Sequence, residues 1–215
     1  MDHVEDRIDP LVGSSRLAAL AAGVTGLLSL VAVIGGEVVV GPDFMGTPLA
    51  AAAAWLGFAS ACLLVLGVTG LLVTVGRESG AGIRRVLTGM QLAAVVMAGA
   101  CATLPLVVIG IVDRAPAIVN DPPVAVPAAF ILAGFAIGAC GIGLAVLLRR
   151  RALFSARLTT FLVVASVVTI VPLPSRHFLV GFAIAALLGS VQRADHSQPR
   201  RAALRFDDAV SSRLR

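Results

Sequence analysis

Six long apolar stretches leave this chain few ways to fold. They are Leu17–Gly36, Pro48–Gly76, Val86–Val112, Pro127–Leu148, Leu158–Leu173 and His177–Val191. A helix needs roughly 20 apolar residues to cross about 30 Å of hydrocarbon, and the first four stretches meet that length. Inside a bilayer every backbone N–H and C=O must find its partner within the protein, so each stretch is expected to be an α-helix. The composition agrees, with 58% apolar residues and a mean hydropathy of +0.98, well outside the soluble range. The expected fold class is all-α: a polytopic membrane helix bundle of six transmembrane helices in three hairpins. Residues 1–16 are expected as an N-terminal tail, 17–192 as the bundle and 193–215 as a basic C-terminal tail.

Charge then orients the bundle. The chain has no lysine, so its 17 basic residues are all arginines, and 15 of them fall on one side once the chain is cut at its apolar stretches. Only Arg114 and Arg176 belong to the other connections. Arginine excess in short loops marks the cytoplasmic face, which places both termini inside a bacterial plasma membrane. The inner segments, with 15 arginines and eight acids, carry +7, and the outer ones, with two arginines and four acids, carry −2. The overall +5 therefore reads as orientation against an anionic inner leaflet and not as a nucleic-acid surface. The first 16 residues hold four acids beside two arginines and no small-x-small cleavage pattern, so the first span is expected to be retained.

Prolines and length refine the spans. Pro48 and Pro127 suit first helical turns, where a missing N–H is harmless, and Pro105 is expected to kink the third span. The fifth stretch has only 16 residues, roughly 24 Å of helix, bounded by Pro172 and Pro174. A re-entrant hairpin there would hold Arg176 at membrane depth, which costs several kcal/mol unless it lines water or finds a partner. Full crossing with Arg176 at the outer surface is the expectation. Short β-branched runs at Val38–Val40 and Ile118–Val119 are the only candidates for an outer two-stranded ribbon. In the C-terminal tail, Ala203, Phe206, Val210 and Leu214 would share a helical face among arginines, which suits an inner-leaflet surface segment.

The chemistry available is sparse. The expected span interiors contain no Asp, Glu or Arg and no His away from a surface, the groups that proton relays and coupled carriers use. Ser and Thr in such helices bond their own backbone or a neighbouring helix, and Gln91 is expected to make an interhelical hydrogen bond. Cys62, Cys101 and Cys140 lie near the middles of spans two, three and four. Without a C-x-x-C pair or a nearby His or Met they read as small hydrophobes, not as a metal centre. No catalytic, cofactor-binding or metal-binding residue is expected. One candidate site remains, an outer-rim cluster of Glu37, Asp43, Asp113, Arg114, Asp121, Arg176 and His177 brought together by the outer connections. Small residues at four-residue spacing, Ala18, Ala22 and Gly26 in span one and Gly134, Gly138 and Gly143 in span four, are candidate helix-packing positions.

Leu63-Leu-Val-Leu-Gly-Val-Thr-Gly-Leu71 is followed by an arginine-glycine turn. A glycine-rich fourth span leads into Arg149-Arg-Arg151 and a short hairpin ending in Leu188-Gly189. This arrangement resembles six-span integral membrane proteins of unassigned function common in actinobacteria. The resemblance implies a bundle and a membrane location and supplies no activity. The functional expectation is a non-enzymatic integral membrane protein acting through helix packing, as an accessory or assembly subunit. The alternative is a small transporter or permeation pathway for an apolar or lipid-like solute. The partners expected are the lipid bilayer and a membrane protein or second copy, with no cofactor and no nucleic acid.

Overall fold

A computed structural model describes residues 2–110, 124–171 and 175–192. The described residues are helical throughout apart from short turns: α1 (Asp2–Val40), a 3-10 helix (Gly41–Gly46), α2 (Pro48–Glu78), α3 (Ala81–Gly110), α4 (Ala125–Arg150), α5 (Ala156–Ile170) and α6 (Phe178–Gln192). Four of them hold apolar segments long enough to cross a membrane: Leu11–Val40, Pro48–Arg77, Ala81–Thr103 and Ala125–Arg150. The helical signals in the sequence act as expected at their ends. Thr47 accepts the Ala50 N–H ahead of Pro48, and Ser155 accepts that of Leu158. Helix α1 extends back to Asp2, through residues expected as a tail, and Val12 is already buried against the bundle. Val38–Val40 form its last turn and not a strand, while Ile118–Val119 and the tail 193–215 lie outside the described residues.

The long helices pack in chain order, α1 on α2, α2 on α3, α3 on α4, and α5 then packs back on α4. Helix α6 closes the ring on α1, where Gly181 meets the backbone of Ala19 and Gly23, and Gly23 meets the ring of Phe182. The interior is filled by Leu64, Leu71, Met90, Met97, Ile137 and Leu144, all 0–1% exposed, while leucines and valines such as Leu20, Leu28, Leu66, Leu92 and Leu132 face outward. An apolar exterior around an apolar interior is the distribution a lipid solvent demands.

Glycine and alanine set the close approaches. A Cβ at Gly138 would meet Ser166 O at 2.7 Å and Ile170 Cγ1 at 2.5 Å, and one at Gly26 would meet Ser60 Oγ at 2.7 Å and Phe178 Cβ at 2.8 Å. Ala22 is fully buried, Ala18 half-buried, and Gly143 faces Val86 at the edge of contact. At the arginine-rich end, the Arg151 guanidinium donates to the Ser79 carbonyl that closes α2, a cation on orphan carbonyls at a helix C-terminus. Gly80, at φ +86°, makes that turn, and a Cβ there would lie 3.1 Å from Arg151 Nη1.

The last hairpin differs from the other four helices in height. Helix α5 has 15 residues, about 22 Å of rise, against 26 residues and about 39 Å for α4. Helix α6 matches α5 by its bounds. Helix α5 starts from the arginine-rich end and α6 returns to it, with Gln192 beside Arg16, so the turn joining them stops inside the bundle.

Candidate functional site

Around that turn Val171, Ser175, Arg176 and His177 are described, and they include the most unusual side chains among the described residues. Arg176 and His177 are both 0% exposed, and Ser175 is buried beside them. The level of the turn follows from its neighbours. His177 meets Ser60, twelve residues or roughly 18 Å below the start of α2, and Arg176 meets Phe130 to Gly134, roughly 8–14 Å below the start of α4. The expected solvated rim position of Arg176 and His177 is therefore corrected. A 16-residue apolar stretch was read as a full crossing, whereas its 15-residue helix is too short to lift the turn to the surface.

A buried guanidinium must be compensated by hydrogen bonds or a counter-charge. Arg176 is held by neutral groups. Its Nη2 donates to Phe130 O at 2.6 Å and Ile131 O at 3.3 Å, and its Nη1 to Val171 O at 3.2 Å and Ile170 O at 3.5 Å. Its Cζ lies 4.7 Å from the centre of the Phe130 ring, a cation–π contact that gains strength away from water. Ile170 and Val171 end α5 and have no helical donor for their carbonyls, so the guanidinium caps α5 while tying it to α4. Gly134 makes the room: a Cβ there would overlap the guanidinium, lying 2.5 Å from Nε. Gly134 is thus a packing position, as expected, but it admits a charged side chain where the sequence reading anticipated a helix.

The other side of the turn is held by hydroxyls. Ser60 Oγ donates to Ala22 O at 2.7 Å, so its lone pair receives His177 Nε2–H at 2.9 Å. That places a proton on Nε2. In parallel, Ser175 Oγ donates to Ser29 Oγ at 2.8 Å, which donates to Ala53 O at 2.8 Å. Ser175 reaches it from the left-handed region, at φ 49°. Each thread begins in the turn and ends on a carbonyl of α1 or α2. Two buried atoms of the turn, Arg176 Nε and His177 Nδ1, have no hydrogen-bond partner among the described residues.

The rest of the expected rim cluster is not brought here. Glu37 and Asp43 are exposed at the far ends of α1 and the 3-10 helix, and Asp113, Arg114 and Asp121 lie outside the described residues. Among the described residues Arg176 makes no ion pair. Gln91 Nε2 donates to Thr69 Oγ1 at 2.8 Å, the interhelical bond expected of it, and Thr69 passes its proton to Val65 O. The cysteines do not share one depth: Cys140 packs 3.3 Å from the Cβ position of Gly89, twelve residues along α3 from Cys101.

Sequence reasoning passed over Ser29, Ser60, Ser175 and Phe130 as partners of the turn. The usable signal was the length of the fifth stretch, which is too short to carry its arginine from the arginine-rich end to the opposite end of the four long helices. Compared with protein-family models, curated proteins and solved structures, the chain gives no match.

Proposed function

We propose that the chain is a non-enzymatic integral membrane protein acting through helix packing, as an accessory or assembly subunit of the bacterial plasma membrane. In this reading three helical hairpins are embedded in the membrane. Four helices cross fully, and the α5–α6 hairpin enters from the cytoplasmic side and stops short, with both termini cytoplasmic by the arginine distribution. The observation that carries the reading is the engagement of Arg176. The one arginine at bundle depth among the described residues holds helix ends and a ring together, with Gly134 shaped around it. Ionisable groups at membrane depth mark transport routes by default, and this one serves to join α4, α5 and α6.

An accessory subunit needs a surface for its partner, and α1 supplies it. Its apolar segment is 28% buried, against 39–44% for the other three, and Leu27, Val31, Ile34 and Val38 face outward along it. The test is site-specific photo-crosslinking in cells from Leu27, Val31 and Ile34, with Val164 on α5 as the comparison face. A discrete protein adduct from α1 that is absent from α5 supports the reading. Lipid adducts alone from both faces, together with solute flux in vesicles holding the purified protein, would replace it with a permeation pathway.

A further inference from the structure

A cleft of about 500 Å³ opens on the flank of the bundle between α1 and α6, at the arginine-rich end. Its volume is within the range of small-molecule sites, about 300–1,000 Å³. Leu17, Leu20, Phe182 and Ala186 form its apolar wall, and Arg16 and Gln192 stand at its mouth. Arg16 Nη1 donates to Gln192 Oε1 at 3.3 Å, a long bond across the two helices. Gly189 lets the guanidinium lie against α6, since a Cβ there would come within 2.9 Å of Arg16 Nε. Among the described residues the cleft lining contains one cation and no carboxylate.

We propose that this cleft is a binding site for an anionic phospholipid of the leaflet on which the arginines lie. The phosphate sits on Arg16, with the Gln192 amide as a second donor, and an acyl chain runs along Leu17, Leu20 and Phe182. Three features favour this occupant over a partner helix. An arginine fork matches phosphate oxygens in a bidentate way. Among the described residues the lining offers no carboxylate to receive the ammonium of a zwitterionic headgroup. The apolar wall continues directly from the charged mouth, with Leu17 67% and Leu20 46% exposed, so headgroup and chain are met in the order in which a lipid presents them. This proposal does not rest on the accessory-subunit reading.

The test is native mass spectrometry of the full-length protein in mild detergent, with phosphatidylglycerol or phosphatidylcholine of matched chains added at equal concentration. The wild type is expected to retain phosphatidylglycerol in preference to phosphatidylcholine. Arg16→Gln should weaken that retention about tenfold, as loss of one charge-assisted contact does. Leu20→Trp, which fills the cleft from an exposed position, should weaken it while leaving the helical content unchanged. Arg84→Gln, at another exposed arginine of the same end, should leave it intact. The proposal fails if Arg16→Gln retains phosphatidylglycerol like the wild type, if both lipids are held equally, or if Arg84→Gln loses as much as Arg16→Gln. Two separate variants at the mouth and the wall keep the result interpretable should one of them fold poorly.

Discussion

Replacing Gly134 with alanine places a methyl group where the Arg176 guanidinium lies, 2.5 Å from Nε. The guanidinium must move, and around it are the Phe130 ring and helix backbone. Its two shorter bonds, 2.6 Å to Phe130 O and 3.2 Å to Val171 O, are the ones at stake. Hydrogen bonds to charged groups contribute about 1.5–3 kcal/mol each, so Gly134→Ala should destabilise by about 3–6 kcal/mol. Arg176→Met loses the same bonds but also removes a charge whose burial at membrane depth costs about 2.5–3.5 kcal/mol. It leaves only neutral carbonyls behind, so its net cost should be about 0–3 kcal/mol. The two substitutions should therefore be non-additive: Gly134→Ala in the Arg176→Met background should cost little more, because the methyl then meets a flexible apolar chain. The assay is reversible unfolding in mixed micelles with increasing sodium dodecyl sulfate, followed by far-ultraviolet circular dichroism. Gly134→Ala as stable as the wild type, or a double variant as unstable as the sum of the singles, would refute a guanidinium seated on Gly134.

Further expectations follow from the same packing. Gly138→Leu should lose most of its folded yield, since even a Cβ meets Ser166 O at 2.7 Å; a monodisperse peak with unchanged helicity on size-exclusion chromatography would count against that contact. Ser60→Ala removes one donor from Ala22 O and leaves His177 Nε2–H unserved, and should cost about 1–3 kcal/mol by the same unfolding assay, with Ser60→Thr recovering part of it. Cys62, Cys101 and Cys140 should each tolerate alanine without loss of fold, and no metal should travel with the protein on elemental analysis. In the resulting cysteine-free protein, His3→Cys and Val210→Cys should resist a membrane-impermeant thiol reagent in intact cells and react after lysis; labelling of either before lysis would overturn the orientation.

Much of the architecture is legible from composition and length. The four long helices, the prolines in the first turns of α2 and α4 and the arginine-rich end all follow from apolar runs and punctuation, because a bilayer removes nearly every alternative to a helix. The small residues were also readable, since Ala22, Gly26, Gly134 and Gly138 all sit at close approaches. The height of the last hairpin was less accessible. It depends on whether a buried arginine can be satisfied, and the partners of its turn come from α1, α2 and α4. Ser175 and Ser29 are 146 residues apart, and Arg176 and Phe130 are 46 apart. No local pattern records such pairings. Charge counting placed Arg176 at a surface because isolated arginines are expensive in hydrocarbon, and four carbonyls with one ring supply what that rule leaves out.

The short hairpin also has a consequence for biogenesis. Synthesis proceeds from the N-terminus, so α1, α2 and α4 leave the ribosome before α5 and α6. The carbonyls of Phe130 and Ile131, the hydroxyls of Ser29 and Ser60 and the hollow at Gly134 are then waiting when Arg176 arrives. A lone hairpin of two 15-residue helices has neither the length to span a bilayer nor partners for its arginine. In the proposed topology its entry is templated by helices already in place, with no autonomous insertion step. A chain stopped before Ala156 would keep its four long helices and present an unfilled polar notch to the lipid, a shape that quality control could recognise as an unfinished product.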